Sequence, residues 1–259
     1  MRTDAPTPYP AEPDALRDLI DGLLAGAPEA PDLDGVLVGL VVPDADRVAG
    51  GPTAAAAYRL LQDAEVQTVV VVSPSHHGAT GRLSIRQSDA YPTPLGDVRI
   101  NDDLRNELCD EDDDIYLDDW PAGHTEGADV QIPFLLRALG PDLDVVPIVM
   151  GDEGPAYCRE LGGAVGEVMY GKRAVVVGTC DLVGADADGL DRLRAAVEAL
   201  DVGETMHLLN SDAVRVEGHG ALATALIASK ERGAKVARVL ALDPPAADAP
   251  GALAVAFWR

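Results

Sequence analysis

The sequence predicts an α/β protein: one layered domain, residues 1–259, with a central largely parallel or mixed sheet flanked by helices. Three observations predict it. Short runs of β-branched and aliphatic residues recur along the chain, and each is long enough for a strand but too short and too branched for a buried helix. Helix-like stretches fall between them, and strands alternating with helices indicate layers around a sheet. The run Thr68-Val-Val-Val-Val-Ser-Pro74 stops at a proline and is followed at once by Ser75-His-His77. Proline cannot continue a ladder, so the chain turns there.

The elements follow in order. A helix over Ala15–Leu24 starts after Pro13-Asp14 and stops at Gly26, the proline-first, glycine-last pattern of a helix. Val36–Val42 reads as the first core strand and Thr53–Leu61, after Pro52, as a helix. Val69–Val72 is the second strand. Asp102–Leu108 and Pro133–Leu139 read as helices, Val145–Val149 as a strand, and Ala156–Met169 as a helix. Ala174–Val177 is a further strand. Helices over Arg192–Leu200 and Ala221–Glu231 follow, the last stopping at Gly233. Val236–Leu242 and Ala252–Phe257, joined by Asp243–Gly251, are expected to pair antiparallel. The acidic segment Asp110–Asp119 reads as a solvated loop.

Composition narrows the function. The 259 residues are 47% apolar, enough for a large core, but only 4% aromatic, so Val, Leu, Ala and Ile must fill it. There are 20 Lys+Arg against 44 Asp+Glu, formally −24, and lysine occurs only at Lys172, Lys230 and Lys235. Acid spread along the chain, with arginine preferred to lysine, predicts a salt-loving cytoplasm, where screening collapses self-repulsion. The alternative is an ordinary acidic protein of a high-GC genome. Either surface argues against nucleic acid and anionic membranes as partners, since both need basic patches. The N-terminus lacks a basic region followed by an apolar one, so no signal peptide is expected, and no apolar run approaches the roughly 20 residues of a membrane span. Cys109, Cys158 and Cys180 are odd in number and far apart, which makes neither a disulfide framework nor a zinc ribbon.

Candidate functional residues follow from the strand ends. Ligands of open α/β sheets bind beyond the carboxyl ends of the strands. Asp44, His76 and Asp181 each follow a core strand, and Glu217 precedes Gly218 and the last helix. If the first three strands are neighbours, these side chains gather at one rim. Imidazole is the commonest metal ligand and proton carrier near neutral pH. Each residue also has a plainer role, because Asp44 and Asp181 fit turn or helix caps. His77 fits a hydrogen-bonding partner, His124 an exposed loop, and His207 a helix surface. His219 stands between two glycines, which permits close approach to a ligand and also fits a plain turn.

These segments carry a resemblance. Tyr9-Pro-Ala-Glu-Pro-Asp14, Pro43-Asp-Ala45, Gly51-Pro-Thr-Ala-Ala55, Ser73-Pro-Ser-His-His77, Asp89-Ala-Tyr-Pro-Thr-Pro-Leu-Gly96, Glu126-Gly-Ala-Asp-Val-Gln-Ile-Pro133, Thr179-Cys-Asp181 and Glu217-Gly-His-Gly220 are similar, in order and spacing, to blocks of the Memo proteins. In prokaryotes these are called AmmeMemoRadiSam system protein B. The resemblance implies the fold of the class III extradiol ring-cleavage dioxygenases, and a metal site. It places that site at Asp44, His76 and Glu217, with His77, Asp181 and His219 around it. It also shows where the chain departs. Asp44 stands where the family has its first metal-site histidine. Gln131 and either Glu126 or Gly127 replace the two histidines of the Glu-His-Ser-Ile-Glu-x-His block. Gly184 stands where the dioxygenase-like general base would be.

Two expectations follow. In one, the altered site is non-catalytic, and the protein is a partner-binding or small-molecule-binding homologue or a homo-oligomer with no cofactor. In the other, Asp44, His76 and Glu217 hold one divalent ion, Fe, Mn or Zn, in a one-imidazole, two-carboxylate site. An extra carboxylate makes such a centre less electrophilic and disfavours oxygen chemistry on a dianionic catecholate. Oxidoreductase or hydrolase chemistry on a small molecule remains, with hydrolysis by a metal-bound water. His76, His77 and His219 are then the catalytic candidates, and His124 or His219 the replacement base.

Overall fold

A computed structural model describes residues 10–29, 31, 33, 35–44, 50–62, 64–76, 81–111, 115–118, 127–211 and 213–259. In chain order they form α1 (Pro13–Gly26), β1 (Leu37–Val42), α2 (Gly51–Tyr58), β2 (Thr68–Pro74), β3 (Leu83–Arg86), β4 (Ala90–Thr93) and β5 (Gly96–Ile100). Then come α3 (Asp102–Glu111), β6 (Ile115–Asp118), α4 (Gly127–Leu139), β7 (Asp144–Met150), α5 (Pro155–Val168), β8 (Ala174–Thr179) and β9 (Asp181–Ala185). The rest are α6 (Ala187–Glu198), α7 (Val202–Leu209), β10 (Val214–Glu217), α8 (His219–Glu231), β11 (Val236–Asp243) and β12 (Gly251–Trp258).

The strands form one mixed sheet in the order β10-β9-β12-β1-β8-β2-β7-β3-β6. Its centre, β1, β8, β2 and β7, is parallel. β12 runs antiparallel to β1, β9 and β11, so the last two strands do form the expected antiparallel pair. The valine run explains the centre. Val69 and Val71 pack with residues of α1, α2 and α4 on one face. Val70 and Val72 pack with residues of α5 and α8 on the other. A strand buried on both faces needs no polar alternation, which is why it reads as an unbroken apolar run.

Helices on both faces bury that sheet. α1 and α5 each begin with proline in the first turn, where its missing N–H costs nothing. α4 begins at Gly127 and carries Pro133 inside it, so the proline does not mark its start. The acidic stretch after α3 is not a plain loop, because Ile115–Asp118 adds β6 beside β3 at the sheet edge. Among the described residues no helix is long and apolar enough to cross a membrane.

One glycine sets how closely the sheet meets its cover. A Cβ on Gly178 in β8 would overlap the carbonyl oxygen of Ala221 and lie 2.9 Å from the Ala225 Cβ. Only a hydrogen at this position lets α8 lie directly on β8. Since α8 begins at His219, this packing fixes one side of the candidate site.

Candidate functional site

The parallel register brings the strand ends together. Val42 of β1 pairs with Thr179 of β8, Val72 of β2 with Gly178, and Pro74 of β2 with Met150 of β7. The residues just beyond these ends therefore share one rim. Asp44 is fixed there by its backbone N–H, which donates to the Cys180 carbonyl at 3.2 Å and to Asp181 Oδ1 at 3.1 Å. The Thr179 hydroxyl donates to Asp44 Oδ1. The other carboxylate oxygen, Oδ2, lies 2.8 Å from Nε2 of His76.

His76 stands between two acids. Its Nδ1 lies 3.8 Å from Glu217 Oε1. Asp44 is buried with 2% of its side chain exposed, whereas Glu217 is 55% exposed, so the ring bridges the interior and the surface. Glu217 ends β10 directly opposite Asp181 of β9. Gly218 follows with φ +78°, and a Cβ there would overlap the Thr179 carbonyl. This left-handed glycine lets the chain turn from β10 into α8 beside the rim. Asp44, His76, Asp181 and Glu217 are thus brought together. His77 and His124 lie outside the described residues, and His207 is exposed on α7.

Sequence reasoning missed Glu153. It lies just past β7, beyond the carboxyl end of a core strand, and the rule that singled out His76 applies equally to it. Its Oε2 accepts the Gly220 backbone N–H at 2.6 Å and lies 3.4 Å from Nδ1 of His219. The N-cap of α8 is Gly218, which has no side chain to offer. Glu153 supplies the missing acceptor from another element, and a negative charge suits a helix N-terminus. This contact sets His219 beside Glu153 at the start of α8.

Burial raises the Glu153 carboxyl above its ordinary value of 4.5, the nearby Asp44 and Glu217 charges push the same way, and His219 opposes them. Between the unfolded and folded values the folded chain holds the extra proton, so Glu153 makes stability fall as pH rises above about 4.5. Glu153→Gln keeps an acceptor for Gly220 and removes this titration. The melting temperature of the variant relative to the parent is expected to rise between pH 4.5 and pH 7, and a relative fall contradicts the assignment. Beneath the rim, burial and the Asp181 charge hold the Cys180 thiol well above its ordinary range, and burial pushes Cys158 up to about 12. Neither thiol is poised to act as a nucleophile.

Of the positions where the family has histidines, Glu126 lies outside the described residues, and the others are otherwise occupied. Gln131 is fully buried. It accepts from the Tyr58 hydroxyl at 2.7 Å and donates to the Pro43 carbonyl at 2.9 Å, holding the turn that carries Asp44. A Cβ on Gly127 would overlap Asp44 Oδ1 and lie 2.7 Å from the Ser73 Cβ. Gly184 lies on β9 under the guanidinium of Arg215. Among the described residues, no group of three or more His, Cys, Asp or Glu is arranged to hold a metal ion.

Residues 2–244 match the family described as Memo-like protein. The chain belongs to the Memo family. A MEMO1 family protein of Thermoplasma acidophilum is 28% identical over 233 residues, 88% of this chain and 85% of its own. One from Ignicoccus hospitalis is 32% identical over 188 residues, 69% of this chain and 66% of its own. Another, from Methanopyrus kandleri, is 28% identical over 250 residues, covering 90% and 87%. Among solved structures, an uncharacterized protein of Escherichia coli K12 superposes with TM-score 0.55 at 15% identity, over 84% of this chain and 98% of that one. At that identity the likeness concerns the fold alone.

Proposed function

We propose that this Memo-family chain is a non-catalytic, binding member of its family, in which the rim residues hold one another in place of a divalent ion. The observation that carries this reading is the setting of His76. Asp44 addresses Nε2 at 2.8 Å and Glu217 addresses Nδ1 at 3.8 Å. An ion takes the lone pair of one ring nitrogen, and its other ligands must surround that same point at roughly 2.0–2.6 Å. Acids on opposite nitrogens do not surround one point, so the donor set as it stands fits a bridged imidazole better than a metal. Among the described residues, the two internal hydrogen bonds of Gln131 and the bare Gly127 and Gly184 support the same reading, because none of these three offers a replacement ligand.

The rim then serves to bind a small molecule or a protein partner, in a salt-rich cytoplasm where the acidic surface is screened. The contrary reading keeps Asp44, His76 and Glu217 as ligands of Fe, Mn or Zn in an oxidoreductase or hydrolase. It is favoured by the closeness of all three groups through one ring. Metal analysis of untagged protein purified in concentrated salt separates the two. The binding reading predicts far less than one Fe, Mn or Zn per chain and a melting temperature unchanged by EDTA. About one ion per chain, lost in His76→Ala, establishes the metal reading instead.

A further inference from the structure

A second feature lies along the sheet from His76. A cleft of about 510 Å³ opens between the 183–186 segment, Ala213 with Arg215 of β10, and the Pro245-Ala246 turn. That volume is in the range of small-molecule sites. The guanidinium of Arg215 lies against Gly184, its register partner across the β9–β10 pair. A Cβ on Gly184 would stand 2.5 Å from one terminal nitrogen and 2.8 Å from Nε. A larger residue at 184 would therefore drive the guanidinium off the strand. Arg215 is exposed, and among the described residues nothing accepts its hydrogen bonds or pairs with its charge.

Acids outnumber bases 44 to 20, and several arginines find carboxylates, as Arg99 does on Asp144 and Arg137 on Asp21, whereas Arg215 lines the cleft. A planar fork of donors seated on a backbone and left without an acceptor is preorganised for a carboxylate. The neighbourhood selects the ligand's charge. Asp186 lines the same cleft, and Glu217 follows Arg215 by two residues on the same exposed side of β10, roughly 7 Å along the strand. The two acids work against a second negative charge on any ligand that the guanidinium holds.

We infer that this cleft binds a small monocarboxylate through the Arg215 guanidinium lying on Gly184. Arg215 and Gly184, which carry the inference, are not proposed metal ligands; Glu217, which is one, enters only through its charge. At the position where the resemblance expects a general base, the chain then presents a bare backbone beneath a cation, so this edge of the site recognises an anion and abstracts no proton.

The test uses the full chain and three probes, lactate, pyruvate and neutral lactamide, followed through the Arg215 Nε–H and Gly184 amide signals by NMR. At least one carboxylate is expected to shift both signals saturably, and lactamide to leave them unmoved. Arg215→Gln is expected to weaken carboxylate binding at least ten-fold. Gly184→Val is expected to do the same with Arg215 still present, because the added side chain displaces the guanidinium. Melting temperatures within a few degrees of the parent verify that both variants fold, and Arg215→Gln alone suffices if Gly184→Val does not. No response to either carboxylate, an equal response to lactamide, or undiminished binding by Arg215→Gln overturns the inference. Metal content is unaffected by any of these outcomes, so a failure here is distinguishable from a failure of the metal-free reading.

Discussion

Gly178→Ala is expected to lower stability by about 3 kcal/mol, the upper part of the range for forced overpacking in a core. For a chain of this size that is a fall in melting temperature of about 6–12 °C. The reason is that the new methyl meets backbone. The carbonyl of Ala221 cannot rotate away as a side-chain tip can, and the Ala225 Cβ closes the other side at 2.9 Å. Relief requires α8 to lift from β8. Because α8 starts at His219, the same displacement separates His219 from Glu153 and disturbs the turn at Gly218. Thermal unfolding in concentrated salt measures the first effect, and the loss of the Glu153-dependent pH response measures the second. A near-neutral Gly178→Ala contradicts the close α8–β8 contact.

Arg232→Ala is expected to cost a similar amount, about 3 kcal/mol, by another route. Arg232 is 3% exposed and has no carboxylate partner among the described residues. It donates to the Val38 carbonyl at 2.8 Å and to the Lys172 carbonyl at 3.3 Å, tying the end of α8 to β1 and to the turn before β8. Burial, with a smaller push from Arg259, lowers its pKa to about 10, so it stays charged at neutral pH. Truncation leaves two carbonyls short of a donor and a void where the stem packed. Arg232→Met keeps the stem and removes the desolvated charge, so it is expected to cost clearly less than Arg232→Ala. Denaturant titration of the two variants ranks them. Equal losses would mean that the hydrogen bonds carry the whole effect and the packing none.

The sheet's centre and its rim were legible because the physics there is local. Strands buried on both faces must be branched and apolar, and a proline or glycine must end them, so β1, β2, β7 and β8 announce themselves. The carboxyl ends then nominate Asp44, His76 and Asp181 without further information. The edge strands were not legible. Ile115-Tyr-Leu-Asp118 has one buried residue of four, with Tyr116 and Leu117 about half exposed, and it is a strand only because β3 offers it a ladder. Val214-Arg-Val-Glu217 alternates buried and exposed, but so short a run before a glycine carries no strand signal of its own, and no strand is predicted there. Glu153 was within reach of the strand-end rule and was overlooked. The approach of the two acids to opposite nitrogens of His76 was out of reach. It depends on the β9–β10 register and on the left-handed Gly218, and neither leaves a periodic trace in the sequence.

The central claim is that the His76 imidazole joins Asp44 to Glu217 with no ion between them. The most direct measurement is an anomalous difference map from crystals grown with excess Mn²⁺ or Zn²⁺ in concentrated salt. The predicted result is no peak at the rim and an unchanged approach of Asp44 to Nε2. A peak within metal-bond distance of one His76 nitrogen and of both carboxylates would contradict it.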